Sequence, residues 1–211
     1  MKRKISGPYY LPLTKRQKTS SLHFATALAS RGGQLNFEGA SNGNPFCSKL
    51  HDAVVKKDEP LINKLLQRSS QQVNKRDKKG LTPLHYAVVQ GQIKIVKLLL
   101  MYGADPALKE VKGLNALHLA AANGDIASLT LFLDLVTDKS MRDEEGLTPL
   151  HWAAAEEQIP VITLLLTKGA DLFKKTAHGL TALDLVIFLN KKSEVREYLR
   201  KEMDSAIRFR R

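Results

Sequence analysis

The 211-residue chain has a single cysteine, Cys47, and therefore cannot form a disulfide within itself. A lone cysteine favours a reducing compartment, because proteins of oxidising compartments commonly use paired cysteines. No apolar run approaches the roughly 18 residues that a membrane-spanning helix requires. The chain also lacks the apolar segment and small-residue cleavage pattern of a secretory leader. We therefore expect neither a membrane protein nor a secreted one.

Motifs that carry catalysis or bind metals are missing as well. The sequence contains no P-loop, no His-Glu-x-x-His, no Cys-x-x-Cys and no nucleophile elbow. The repeats described below leave no second domain in which an active site would be housed. We expect a protein that is not an enzyme and that uses neither a cofactor nor a metal ion.

What the chain does contain is one six-residue phrase that recurs four times at intervals of 33 residues. Its first residue, Thr or Asn, suits the N-cap of a helix, and a proline often follows at the first helical position. Each copy is followed by apolar residues at helical spacing, which predicts a second helix. A fixed period of this kind predicts stacked pairs of helices. The copies are TPLHYA (82–87), NALHLA (115–120), TPLHWA (148–153) and TALDLV (181–186).

The phrase and its spacing resemble the ankyrin repeat over roughly residues 45–204. This resemblance implies an all-α ankyrin-repeat solenoid of helix-turn-helix units joined by hairpin loops. Polar residues such as Glu59, Lys64 and Glu197 replace apolar ones in the outer units, as expected of end caps. Counting both caps, we expect about five repeats, near residues 45–78, 79–111, 112–144, 145–177 and 178–204.

Three residues depart from the repeat. Glu157 replaces the glycine of the turn between the two helices, so we expect that turn to be weaker. Val136 stands where other copies have a helix-ending glycine, so the hairpin that follows should be irregular. Asp184 replaces the histidine of the other copies.

The resemblance places partner binding at the groove and the hairpins. A leucine follows the glycine before each phrase, and these four would line the groove as a ladder: Leu81, Leu114, Leu147 and Leu180. Such a ladder is either an exposed apolar binding surface or a cover for the neighbouring hairpins. The hairpin tips differ in charge, being basic at Lys78 and Lys79 and acidic at Glu144 and Glu145. These charges either lie on solvated faces or steer a partner into register.

Two other recurring sets invite a functional interpretation that we consider weaker. The equivalent aromatic and apolar residues Tyr86, Leu119 and Trp152 would pack between first helices more readily than they would bind a partner. The repeated histidines lie too far apart to share a metal ion. We expect buried side chains hydrogen-bonded to the hairpins, a role that the resemblance also implies, for His51, His85, His118 and His151.

The net charge of +12 is concentrated at the two ends of the chain. Residues 1–45 hold seven lysines and arginines against one acid, and residues 191–211 hold eight against four. The lack of sustained apolar periodicity predicts a disordered basic arm over residues 1–44, and residues 205–211 form a basic tail. Basic ends suit acidic partners, including nucleic acid, although the tail is too short to specify one.

Two basic clusters in the arm resemble a bipartite nuclear localisation signal. Ten residues separate them, which would let an import receptor bind both clusters at once. A mitochondrial presequence is an alternative, but Pro8 and Pro12 would break its amphipathic helix. A solvating tail is another. The clusters comprise Lys2, Arg3, Lys4, Lys15, Arg16 and Lys18.

The sequence therefore predicts a protein–protein interaction adapter that acts in the nucleus as a regulator or cofactor. The cytoplasm and, less readily, the mitochondrion are alternative locations. A nucleic-acid-associated protein and a substrate-recruiting subunit of an enzyme complex remain alternative functions.

Overall fold

The computed structural model describes residues 48–209, apart from the side chain of Phe209. The predicted arm, residues 1–44, and its six nuclear-signal residues lie outside this range. Over residues 48–209 the chain forms ten α-helices, one 3-10 turn at Ser70–Gln72 and no strand, so the predicted all-α solenoid is confirmed. The helices are α1 Lys49–Val55, α2 Glu59–Arg68, α3 Pro83–Val89, α4 Ile93–Met101, α5 Ala116–Asn123, α6 Ile126–Leu135, α7 Pro149–Ala155, α8 Ile159–Thr167, α9 Ala182–Phe188 and α10 Ser193–Phe209.

The helices form five consecutive pairs, and the first helix of each pair stacks on the first helix of the next. First helices are buried almost throughout, since small residues such as Ala120 and Ala121 let their neighbours approach closely. Each second helix packs one apolar face inward, as Ile95, Val96 and Leu99 do in α4. The core is thus a continuous layer between two rows of helices.

The first helices begin at caps that are closed by the side chain three residues later. The backbone N–H of Thr82 donates to Nδ1 of His85 at 3.0 Å, and that of Thr148 donates to Nδ1 of His151 at 3.2 Å. In the last repeat Asp184 performs the same task, because its carboxylate accepts from the backbone N–H of Thr181 at 3.0 Å. An unpaired N–H at each helix start is thereby satisfied.

The turn inside each helix pair requires a residue with positive φ. Two repeats use glycine, at Gly91 and Gly124, whereas Lys57, Glu157 and Asn190 adopt φ values between 51° and 59°. Glu157 is the residue that the sequence predicts to weaken its turn, and its φ of 59° lies in the left-handed region that strains a residue with a Cβ. Lys57 and Asn190 are not predicted from the sequence, because they lie in the end repeats where the phrase is least regular.

The helix ends differ as the sequence predicted. Gly103, two residues after the end of α4, has a φ of 84°, whereas Val136 after α6 is extended with a φ of −101°. The chain therefore leaves α6 differently from α4. The last helix, α10, continues through residues 205–209, most of the segment that the sequence analysis assigned to a basic tail.

Replacing Glu157 with glycine should raise the free energy of unfolding by roughly 0.5 kcal/mol. Glycine adopts φ of 59° without the steric cost of a Cβ, which outweighs its greater freedom in the unfolded chain. The 3.5 Å contact with Lys192 is lost, but Lys192 is highly exposed and such pairs contribute little. Urea denaturation measures the change.

The reciprocal variant Gly91→Glu is the control. A Cβ on Gly91 would meet nothing within 4 Å, so this substitution adds backbone strain without a clash. It should lower stability by about 1 kcal/mol. A loss of stability in Glu157→Gly would contradict the assignment of strain.

Candidate partner-binding surface

The leucine ladder is buried. Leu81 and Leu114 are 5% exposed, Leu180 is 2% exposed and Leu147 is inaccessible to solvent. The interpretation of these four residues as an exposed apolar binding surface is therefore wrong. Each leucine lies between a hairpin and the start of a first helix, and its burial stabilises the packing of the hairpin against that helix. The alternative, a cover for the hairpins, fits this burial.

A side-chain oxygen closes each hairpin from within. Oδ1 of Asp77 accepts from the backbone N–H groups of Lys79 and Leu81, both at 2.8 Å. The same pair of bonds recurs at intervals of 33 residues, with the acceptors Glu110, Asp143 and Thr176. The hairpin residues predicted from the sequence do not include these four acceptors. Their shared spacing was the signal that could have identified them as turn residues.

The aromatic residues at the repeated position are internal, as predicted. The hydroxyl of Tyr86 donates to Oδ2 of Asp77 at 2.7 Å, and Nε1 of Trp152 donates to Oδ2 of Asp143 at 3.0 Å. Burial raises the pKa of Asp143, although the backbone N–H of Leu147 and Nε1 of Trp152 donate to its carboxylate and stabilise the charged form. The aromatic rings therefore tie first helices to hairpins.

Three of the four repeated histidines join a first helix to the hairpin that follows it. Nε2 of His51 bonds the carbonyl of Leu81, and Nε2 of His151 bonds the carbonyl of Leu180, each at 3.1 Å. Because Nδ1 accepts from a backbone N–H and Nε2 faces a carbonyl, the ring is neutral with its proton on Nε2. Nε2 of His118 lies 3.2 Å from the carbonyl of Leu147.

His85 differs, since its buried Nε2 makes no hydrogen bond. Nearby backbone groups of Leu108 and Leu114 nevertheless favour its charged form. Burial outweighs this effect and lowers the pKa to about 4. Burial likewise lowers the pKa to about 4 for His118 and His151, and lowers that of His51. The predicted structural role of the histidines fits this geometry.

Adjacent hairpins are joined at their tips by backbone hydrogen bonds. The N–H of Val111 donates to the carbonyl of Lys79 at 2.9 Å, that of Glu144 to Lys112 at 3.2 Å, and that of Ala177 to Glu145 at 3.0 Å. These bonds align four pairs of residues along the stack. We call this alignment the tip row; it comprises Lys78, Lys79, Val111, Lys112, Glu144, Glu145, Ala177 and His178.

The tip row is where the structure brings together the charged residues that the sequence predicted. Lys78, Lys79 and Glu144 are exposed, and Glu145 is half-buried. The row is basic over the first two hairpins and acidic at the third. It also contains Val111, which is 60% exposed and which the sequence analysis did not identify.

A second row of cations runs beside the tip row and was also missed by the sequence analysis. Arg76 donates through Nη2 to the carbonyl of Lys109, whose Nζ donates to the carbonyl of Arg142 at 2.9 Å. Lys175 holds the equivalent position in the fourth hairpin. These exposed side chains brace neighbouring hairpins and add positive charge along the edge.

Two further properties concern only residues 48–209. No three His, Cys, Asp or Glu side chains of this part gather as a metal site would require. None of its helices is long and apolar enough to cross a bilayer.

Comparison with known proteins identifies the family. A model of ankyrin repeats matches three overlapping stretches, residues 21–110, 50–143 and 117–208. The chain belongs to the ankyrin repeat family. Ankyrin repeats generally mediate protein–protein interactions. In this chain the tip row is the exposed candidate surface, whereas the leucine ladder is buried.

Several curated relatives share ankyrin repeats with this chain. The putative ankyrin repeat protein FPV244 of fowlpox virus is 44% identical over 57 residues, 27% of this chain and 8% of the relative. The 2-5A-dependent ribonuclease of Mus musculus is 44% identical over 59 residues, 28% of this chain and 8% of the relative. The human DNA-binding protein RFXANK is 32% identical over 92 residues, 43% of this chain and 34% of the relative. The similarity therefore covers about a third of these relatives or less.

Lowering the pH should destabilise the ankyrin array between about pH 6.5 and 4. The folded-state pKa of each buried histidine lies below the ordinary value of 6.5, so the unfolded chain binds protons first as pH falls. Each histidine contributes a slope of up to about 1.4 kcal/mol per pH unit in this window and none above it. Urea denaturation at about pH 7, 6 and 5 measures the slope.

A histidine variant separates this effect from general acid unfolding. His151→Gln should reduce the slope by one histidine's share, because one fewer buried ring takes up a proton on unfolding in this window. A slope equal to that of the unchanged chain would contradict the role given to the buried rings.

Proposed function

We propose that this chain is a non-enzymatic adapter whose tip row binds a protein partner, and that it acts in the nucleus as a regulator or cofactor. The observation that carries the proposal is the tip row itself. Its exposed side chains change from basic to acidic along the stack, whereas the repeated residues beneath them are buried in the fold. Variable residues on a fixed frame suit recognition of one partner among many.

The backbone of the row supports this proposal because it is held before any partner arrives. Bonds between adjacent tips, such as that from Glu144 to Lys112, fix neighbouring hairpins against each other. The internal acceptors Asp77 and Asp143 fix each hairpin separately. A surface that is already ordered loses less conformational entropy on binding.

The nuclear part of the proposal depends on the two basic clusters of the arm. Lys2, Arg3 and Lys4 and the later Lys15, Arg16 and Lys18 would occupy two acidic pockets of an import receptor. These residues lie outside the described range, so the sequence alone supports this part.

Association with nucleic acid is a second candidate function. The chain carries a net charge of +12 that is concentrated at its ends, and one relative is named a DNA-binding protein. Two results would favour this function over the adapter. The affinity for nucleic acid would fall steeply with rising salt, and deletion of residues 1–20 would abolish that affinity.

Changing the tip charges should abolish capture of the partner. In a triple variant, the amount of partner recovered should fall at least about tenfold, because the surviving contacts would lack charge complementarity. The variant carries Lys79→Ser, Lys112→Ser and Glu144→Ser. Cross-linking followed by mass spectrometry, with the full chain as bait, measures recovery.

The matched control changes Lys94 and Lys97, exposed on helix α4 away from the tips, to serine. It should recover the partner at the level of the unchanged chain. Loss in both variants, or in neither, would contradict binding at the tip row.

Changing Lys15, Arg16 and Lys18 to alanine should redistribute a fluorescent fusion from the nucleus to the cytoplasm. The second basic cluster would no longer fill its pocket, and the gain from binding two clusters at once would be lost. The control removes three cations from the array, at Lys64, Lys94 and Lys97, and should stay nuclear. Unchanged nuclear accumulation of the first variant would refute the signal.

A further inference from the structure

The order of charges along the tip row selects the chemistry of its occupant, if the row binds a protein as proposed above. We propose that it takes an extended segment that is acidic at one end, apolar at its centre and basic at the other end. The acidic end would face the first two hairpins, the apolar side chain would cover Val111, and the cation would face Glu144. Four observations lead to this assignment.

The first two hairpins offer a strong positive field. Residues 75–79 hold Lys75, Arg76, Lys78 and Lys79 against one acid, and residues 109–112 add Lys109 and Lys112 against one more. The two acids, Asp77 and Glu110, are engaged by backbone N–H groups of their own turns. Their carboxylates therefore face the turns, and the lysine chains project at the exposed edge.

An apolar side chain lies among these cations. Val111 is 60% exposed, and it is bonded through its backbone to Lys79. Beside it, a shallow groove of about 450 Å³ is lined by Leu108, Lys109, Glu110 and Glu144 among others. A partner with an apolar side chain over Val111 would gain free energy by burying apolar surface on both sides. A phosphodiester backbone has no apolar group to place there.

The charge of the row reverses at the third hairpin. Along the tip row, Glu144 comes next after Lys112, and its backbone N–H donates to the carbonyl of Lys112 at 3.2 Å. Glu145 is the next residue of the row. A nucleic-acid strand carries one phosphate for about every 3.4 Å of its length, so it would place phosphates against both glutamates. A segment of mixed charge avoids this repulsion, which favours a peptide.

The stacking distance sets the length of the segment. Packed helices lie about 8–10 Å apart, and an extended chain advances about 3.3 Å per residue, so each hairpin corresponds to about three residues. The three hairpins from Lys79 to Glu145 therefore match a segment of about nine residues.

The test uses the full chain and labelled peptides of about nine residues in fluorescence anisotropy. The probe has glutamates at one end, a central leucine and lysines at the other end, and is synthesised in both chain directions. We expect one direction to bind about tenfold more tightly than an all-glutamate peptide of equal length. Single-stranded DNA of equal length should also bind more weakly than the probe.

Glu144→Lys should reverse this preference, so that the all-glutamate peptide binds more tightly than the probe. Replacing the central leucine by serine should weaken binding to the unchanged chain, and this loss should vanish in the Val111→Ser variant. Both substituted residues are exposed, and circular dichroism checks that the variants fold. The charge-matched control, Glu197→Lys at an exposed site on helix α10, should bind the probe as the unchanged chain does.

Three results would overturn this assignment: an order of preference that survives Glu144→Lys, a leucine effect that survives Val111→Ser, or tighter binding of DNA. Such a result would leave the adapter intact if cross-linked partners were still lost on changing the tip residues. If changing the tip residues left the recovery of cross-linked partners unchanged, the adapter proposal itself would be wrong.

Discussion

The stack depends on one recurring link, in which a buried neutral histidine joins the start of a first helix to the next hairpin. In the first repeat, the ring of His51 accepts from the backbone N–H of Ser48 and bonds the carbonyl of Leu81, 30 residues away. The N–H of Ser48 is buried, and leaving it unpaired would cost about 1–3 kcal/mol. The carbonyl of Leu81 also accepts from the backbone N–H of Asp77, so the ring adds a second bond there and joins the helix start to the hairpin. Backbone hydrogen bonds between adjacent hairpin tips act beside this link in setting the register of the stack.

The residues that build this frame are not available for recognition. The leucines beside the hairpins, the acids inside the turns and the aromatic rings that bond those acids are buried or engaged within the array. What remains exposed are the side chains that the repeat does not constrain. The proposed partner surface therefore consists of residues that differ between repeats, among them Lys79, Val111 and Glu144. Their charge order is a property of this chain and not of the frame.

The irregular positions show where the frame tolerates deviation. Glu157 occupies a backbone conformation that suits glycine, yet it also lies 3.5 Å from Lys192 of the next repeat. Helix α6 ends at Leu135, and Val136 after it is extended where other copies have a left-handed glycine. In the last turn of the same helix, Asp134 forms a 2.7 Å salt bridge with Lys168 of the next repeat. Neighbouring repeats share enough buried area to hold such local strain, because each contacts the unit before and the unit after it.

The sequence by itself determined the helical class, the repeat period, the starts of the first helices at their N-caps and the structural role of the histidines, because all of these follow from local capping and from periodic burial. It also identified Lys79 and Glu144 as tip charges. It could not decide whether Leu81 and its equivalents face solvent, since exposure depends on how the next hairpin folds over them. Nor could it place Val111 beside Lys79, or turn Asp77 inward. Those contacts join residues about one repeat apart in sequence or form only when a hairpin closes on its helix, so only the tertiary structure decided them.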